Sequence, residues 1–479
     1  MSSPAARGGL ATNVVTAALP LVGSFLVSLL LAPYVGDAGF GVYSLVMSAA
    51  TLLLVAAKFG LHTATSRLVS ENDDTPGPWI RAGLALRLPL TLGTAIVAVV
   101  ASPWIARGLT GTDETTVAFA LAGAVIVGAS LFEFAGEVQV GLRAFRPQMW
   151  LRVVALVLRL AALGLVRWFG VGVEWFLAGH ALSQALPSTV VLGRLVHSTR
   201  AQTVAGVRTL RRTWDLALPL AFSSASFLIY AHTDRLMLGA FDSEAVVGQF
   251  AVARNVIDAA MFPVVALTWS LRPAFVRSLR PGATESVGEV LAEGLRLSVV
   301  YVCAGAALMA VLGPGLLRGL YGAEFSEAGA LLLWMVPLLA LRGLGTVIFP
   351  LLVAADSQHA YARLMGWTAG VNVAANLVLI PIFGAIGAVA STFLALLLLT
   401  VGGFREVRRA AGSLPWGERA GSHTRAVVSS GLAATAVLLW DPEGRGLAVT
   451  TAAAVIGVVV LALVNLGRPR RPFRGVRRP

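Results

Sequence analysis

Arg254 and Asp258 stand four residues apart inside the apolar run 246–271, so a helix there sets them on one face, one turn from each other. Burying either alone in hydrocarbon is costly, and charges retained inside such runs mark paths for polar cargo or ions. Arg342 lies about 20 Å into the run 329–354 at ~1.5 Å per residue, close to the middle of a bilayer. Lys58, the sole lysine, falls in 42–66, the i, i+4 pair Glu133 and Glu137 in 117–142, and Arg159 in 150–169, while Asp234-Arg235 sits near one end of 215–240. Guanidinium and ammonium groups in a hydrated cleft hold phosphates and carboxylates. Arg254, Arg342, Lys58 and Arg235 are therefore the candidates for an anionic substrate, and Asp258, Glu133 and Glu137 for a coupling cation. Plainer roles stand beside these. Arg254 and Asp258 neutralise one another; Arg159 pairs with Glu137; Lys58 snorkels to the interface; Asp234-Arg235 caps a helix end. Arg342 has no partner near it in sequence, so it is expected to face a watery cavity.

These residues need helices that cross a membrane. Of the 479 residues, 57% are hydrophobic and 13% charged, and mean hydropathy is +0.80, where a soluble chain carries about a quarter charged residues. Fourteen apolar spans follow: 11–33, 42–66, 82–104, 117–142, 150–169, 172–193, 215–240, 246–271, 294–317, 329–354, 361–383, 384–404, 424–440 and 446–466. The first follows a short arm with Arg7 and is too long for a cleaved signal, so it is an uncleaved helix.

A net charge of +13 is also what a nucleic-acid binder shows, but the distribution excludes that partner. Numbering the connections from the N-terminus, and counting basic residues near span ends with the adjoining connection, Arg and Lys fall 28 on one side and 5 on the other, with four, Lys58, Arg159, Arg254 and Arg342, inside spans. That asymmetry sets orientation and puts both termini in the cytoplasm of a prokaryotic cell, with the plasma membrane as the site. The basic tail also suits anionic lipid. Cys303 is the sole cysteine and the six histidines have no metal-ligand spacing, so neither a disulfide framework, a metal nor a cofactor is expected.

The chain also repeats itself. PWIARGLTG at 103–111 returns as PGLLRGLYG at 314–322, ALPL at 18–21 as ALPL at 217–220, GVYS at 41–44 as GQFA at 248–251, and Phe169-Gly170 as Phe383-Gly384. The period near two hundred residues is far above the 20–50 of solenoids and reads as a duplication. Each copy holds six spans, an even number, so both share one orientation about an axis along the membrane normal. The expected organisation is a lobe at 1–200, a second at 201–410, and two extra helices with a basic tail at 411–479. Pro20, Pro89, Pro187, Pro219, Pro263, Pro337 and Pro350 are expected to interrupt their helices, as bending transporters require or as membrane helices simply tolerate.

Five segments carry a resemblance. DRLMLGAFDSEAVVGQFAVA at 234–253, LAPYVGDAGFGVYSLVMS at 31–48, FGLHTATSRLVSE at 59–71, LYGAEFSEAGALLLWMVPLLALRGL at 320–344 and NLVLIPIFGAIGAVAST at 376–392 resemble, in order, segments of the Wzx-like polysaccharide flippases. The likeness runs from about 10 to 410. These proteins belong to a superfamily that also holds multidrug exporters and the lipid II flippase. It implies an all-α polytopic, MATE-like fold of two lobes around a central cavity, with about 14 transmembrane helices. It further implies outward movement of lipid-linked oligosaccharides. In one respect the chain departs: where the family often has Asp before the Phe-Gly of the second helix, this chain has Lys58, which weakens a cation site there.

The leading expectation is a flippase for an isoprenoid diphosphate-linked glycan, working by alternating access in cell-surface polysaccharide or lipopolysaccharide biosynthesis. Its partners are the lipid-linked substrate, membrane lipids and glycan assembly enzymes. The alternative is a cation-coupled multidrug exporter of the same fold, for which the intramembrane carboxylates would form an acidic cavity. An enzyme, a membrane glycan polymerase, ligase or glycosyltransferase, is not expected: the outer connections are short, and Asp73-Asp74 before Pro76 reads as a solvated turn.

Overall fold

The computed structural model describes residues 4–410 apart from 203–204, 281–285 and 356. The two expected spans at 424–440 and 446–466 and the basic tail lie outside the described residues. Within them the chain forms α1 (Pro4–Lys58), α2 (Leu61–Glu71), α3 (Gly77–Thr110), α4 (Thr116–Gly141), α5 (Phe145–Phe169), α6 (Val173–Ser198), α7 (Val207–Phe241), α8 (Glu244–Ala260), α9 (Phe262–Ser278), α10 (Val287–Tyr321), α11 (Ser326–Ala354) and α12 (Gln358–Ala410). Seven stretches of them are long and apolar enough to cross a membrane. Two of these, Ala18–Lys58 and His359–Arg409, run 41 and 51 residues, about twice what one crossing needs. Each turns back at a single glycine, Gly36 (φ 74°, ψ 177°) in α1 and Gly384 (φ 55°, ψ −134°) in α12, conformations that a side chain would strain. The twelve spans expected up to residue 404 thus fall on helix, with breaks inside the second and the eighth.

The repeat reappears as shared backbone devices. Gly111 (φ 69°) ends α3 and its N–H donates to the Arg107 carbonyl at 3.0 Å; Gly322 (φ 93°) ends α10 and donates to the Arg318 carbonyl at 3.0 Å. The duplicated nonapeptide is therefore in both copies a helix C-cap built on a glycine of positive φ. Gly170 (φ 64°), which ends α5, corresponds in the same way to Gly384. Arg107 is taken up by an exposed pair with Asp113 at 2.5 Å.

Most prolines do not break their helices as expected. α3 continues through Pro89 and Pro103, α6 through Pro187, and α11 through Pro337 and Pro350, where the surrounding bundle offsets the single hydrogen bond each removes. The interruptions fall at Phe59-Gly60, between α1 and α2, and at Met261, just ahead of Pro263, between α8 and α9. Both lie in the second span of their copy.

The halves of the chain meet reciprocally at one end. A Cβ on Gly41 would collide with the Glu244 carbonyl, and a Cβ on Gly248 with the Asp37 carbonyl, so each glycine admits the backbone that flanks its counterpart. Gln249 fastens this contact. Its Nε2 donates to Asp37 Oδ2 at 3.2 Å and to the Glu324 carbonyl at 2.5 Å, and its Oε1 accepts from Ala328 N–H at 2.9 Å. At the opposite, basic end, Gly60 admits the Ala217 carbonyl of α7, and the Phe59 ring stacks on Trp214 at 5.0 Å.

Candidate functional site

Between these two end contacts, ionisable side chains gather in two groups. One lies on α7, α8 and α11. Helical spacing on α8 sets Arg254 beside Asp258, with Nε 3.5 Å from Oδ1. Arg254 Nη1 also reaches Asp234 Oδ2 of α7 at 3.3 Å, and Arg342 Nη1 of α11 donates to Asp258 Oδ1 at 2.5 Å. The two carboxylates differ in setting: the Asp234 side chain is 1% exposed and that of Arg254 8%, against 31% for Asp258 and 26% for Arg342. Arg235 lies within electrostatic range of Asp234, Arg254 and Asp258.

The other group draws on five helices. Lys58, the last residue of α1, pairs through Nζ with Glu133 Oε2 of α4 at 2.5 Å. Arg87 of α3 is buried; its Nε donates to Ser130 Oγ at 2.9 Å, its Nη2 to the Ser130 carbonyl at 3.0 Å, and its guanidinium lies 5.5 Å from the centre of the Phe134 ring. Glu137, one turn beyond Glu133, is within electrostatic range of Arg152 of α5, Arg87 and Lys58. His62 of α2 neighbours Arg87, Glu133 and Lys58.

The two groups face each other. His232 of α7 hydrogen-bonds Ser48 of α1 at 3.4 Å and lies within electrostatic range of Arg235, Arg254 and Asp258 on one side and Lys58 on the other. Tyr43 of α1 stands between Arg159 and Arg235 in the same way. Each group holds one more cation than anion: Arg235, Arg254 and Arg342 against Asp234 and Asp258, and Lys58, Arg87 and Arg152 against Glu133 and Glu137.

Sequence spacing finds Arg254 with Asp258, and the geometry adds partners that it misses. Arg342 does not stand alone but shares Asp258, and Asp234 is a buried counter-ion rather than a helix-end cap. Arg159 does not pair with Glu137: its Nε is buried without a hydrogen-bond partner, and Tyr43 is the group beside it. Arg87 and Arg152, counted among the basic residues at the ends of their spans, lie well within α3 and α5. The third helix starts at Gly77, five residues ahead of the expected span, which sets Arg87 nearly three turns inside it.

A polytopic, all-helical protein whose charges converge between two half-bundles has the architecture of a MATE-like membrane transporter. The chain matches the structure of the lipid II flippase MurJ in an inward closed conformation with a TM-score of 0.70 at 12% identity, covering 95% of this chain and 98% of that one. It matches an inward-facing MATE-family multidrug resistance transporter with a TM-score of 0.69 at 14% identity, covering 84% and 99%. The profile of the polysaccharide biosynthesis protein family matches residues 10–279, more than half of the chain, and the chain belongs to that family. Two relatives from Haloferax volcanii are described as a probable flippase, AglR, 24% identical over 91% of both chains, and a probable low-salt glycan biosynthesis flippase, Agl15, 22% identical over 76% of both. The Wzx-like resemblance thus holds along the chain.

Proposed function

We propose that this protein is a flippase that moves a glycan linked to an isoprenoid diphosphate across the plasma membrane, with residues 1–200 and 201–410 alternately opening to either face and the basic end in the cytoplasm. The observation that carries the reading is the surplus cation in each of two facing ion groups inside a membrane protein. Neutral cargo gains nothing from that surplus; a diphosphate or an acidic sugar offsets it and supplies the acceptors that the arginines lack. Arg254, Arg342, Lys58 and Arg235 are the substrate-binding set. Asp258, held by two arginines, and Glu133, held by Lys58, act as counter-ions, which leaves Glu137 as the first of the three carboxylates for a coupling cation. The family and the names of the two relatives support a role in glycan assembly, and enzymes that build and use the glycan are the partners this role requires.

The test is export of surface glycan in a cell whose own copy is deleted. Arg254→Ala and Arg342→Ala, each checked for folded protein in the membrane, should abolish export. Full export by both variants would overturn the assignment, and drug resistance conferred without export would favour the multidrug alternative.

A further inference from the structure

We infer that Lys58 is a competitive switch, traded between Glu133 and the anionic head group of the cargo, and that this trade sets how firmly α2 is held against α7. The inference rests on the proposed reading that the cargo carries an anion. Lys58 is the last residue before two consecutive left-handed residues, Phe59 (φ 40°) and Gly60 (φ 70°). A non-glycine residue in that region costs about 1–2 kcal/mol, so the bend persists only because neighbours hold it. α2 packs on its own half, where Gly141 lies against the Ser66 carbonyl, while the contacts at the bend itself reach the other half. The Phe59 ring stacks on Trp214 at 5.0 Å and 16°, the Gly60 backbone lies against the Ala217 carbonyl, and Glu71 at the far end of α2 pairs with Arg212 at 3.6 Å. α2 is therefore a short arm jointed at Phe59-Gly60 and laid across the seam between the halves at the basic end.

The joint is tied by its other neighbour to its own half. Lys58 Nζ sits 2.5 Å from Glu133 on α4, with its side chain 12% exposed and that of Glu133 36%. Behind them Arg87 Nη1 is buried with no hydrogen-bond partner. Across the seam His232 of α7 lies within electrostatic range of Lys58 on one side and of Arg254 and Asp258 on the other. An anion entering between the two groups competes with Glu133 for the ammonium and draws it toward α7 and α8. That movement presses the arm onto α7 and shuts the basic end behind the cargo. With the site empty, Glu133 recovers Lys58 and the arm is free to lift. Lys58, the lone lysine of the sequence, gives this chain a cation that can change partners.

Crosslinking across the arm tests this. In a Cys303→Ser background, Glu71→Cys with Arg212→Cys is treated with a short bis-maleimide in the presence of farnesyl diphosphate, glucuronate or uncharged farnesol. Farnesyl diphosphate or glucuronate, but not farnesol, should raise the crosslinked fraction, and which of the two does so separates a diphosphate from an acidic sugar. Lys58→Gln should lose the response and Lys58→Arg keep it, while Glu133→Gln, with the competitor gone, should respond at roughly tenfold lower anion concentration. A response unchanged in Lys58→Gln, an unshifted one in Glu133→Gln, or none in a parent that binds farnesyl diphosphate would overturn the switch alone. A parent that binds neither anion would overturn the functional reading, and the switch with it.

Discussion

Asp234→Ala and Asp258→Ala remove chemically identical groups from one ion network, yet the structure assigns them different costs. Asp234 and Arg254 are buried to 1% and 8% exposure at 3.3 Å. At an effective dielectric of about 20 the attraction across that distance is about 5 kcal/mol. Without Asp234, Arg254 keeps only the longer 3.5 Å contact with Asp258, a carboxylate it shares with Arg342, so the loss approaches the roughly 3–5 kcal/mol of a stranded buried charge. Asp258 and Arg342 are closer, at 2.5 Å, but 31% and 26% exposed, and Arg254 keeps Asp234 when Asp258 is gone. Screening brings that loss down to about 1–2 kcal/mol. The assay is thermal unfolding in detergent at one fixed scan rate, because such transitions are commonly irreversible. With roughly 2–4 °C per kcal/mol for a mid-sized domain, Asp234→Ala should lower Tm by about 6–20 °C and Asp258→Ala by a few degrees. The double variant Asp234→Ala/Arg254→Ala should be more stable than Asp234→Ala alone, since no charge is left stranded. Equal shifts for the two aspartates, or strict additivity in the double variant, would refute the reasoning.

Three further outcomes are expected from the same melts. Gly41→Ala and Gly248→Ala each force a methyl into the facing backbone and should cost roughly 1–3 kcal/mol, whereas Gly108→Ala, in open space on α3, should gain about 0.5–1 kcal/mol; no difference between the two classes would remove the argument for close backbone approach. Gln249→Ala leaves the Ala328 N–H and the Glu324 carbonyl without their partner and should destabilise by about 1–3 kcal/mol, with Gln249→Glu failing to rescue because a carboxylate cannot donate to that carbonyl. Arg159→Met should leave Tm unchanged or raised, because its Nε is buried without a hydrogen-bond partner among the described residues; a large drop would point to an acceptor at this guanidinium.

Much of the fold is legible in the residues themselves. Apolar runs of about twenty residues fix the crossings, and glycines at 111, 170, 322 and 384 fix where helices end, because both depend on local properties: hydropathy summed over a window, and the φ that a missing Cβ permits. The site is only half legible. Arg254 and Asp258 are neighbours by helical period, so sequence finds them. Arg342 with Asp258, Lys58 with Glu133, and Arg254 with Asp234 are separated by 84, 75 and 20 residues, and no local rule pairs them.

By itself, then, the sequence determined that this is a duplicated, many-helix membrane protein with charges placed where hydrocarbon penalises them. The tertiary structure alone decided which charges share a partner, which of them are buried, that the Arg159 Nε finds no partner among the described residues, and that the second span bends at Phe59-Gly60 rather than at a proline. The physical reason is range. Hydropathy and backbone conformation act within a turn or two of chain, whereas the partner of a buried charge is whichever side chain helix packing brings within about 4 Å, and packing is a property of the whole bundle.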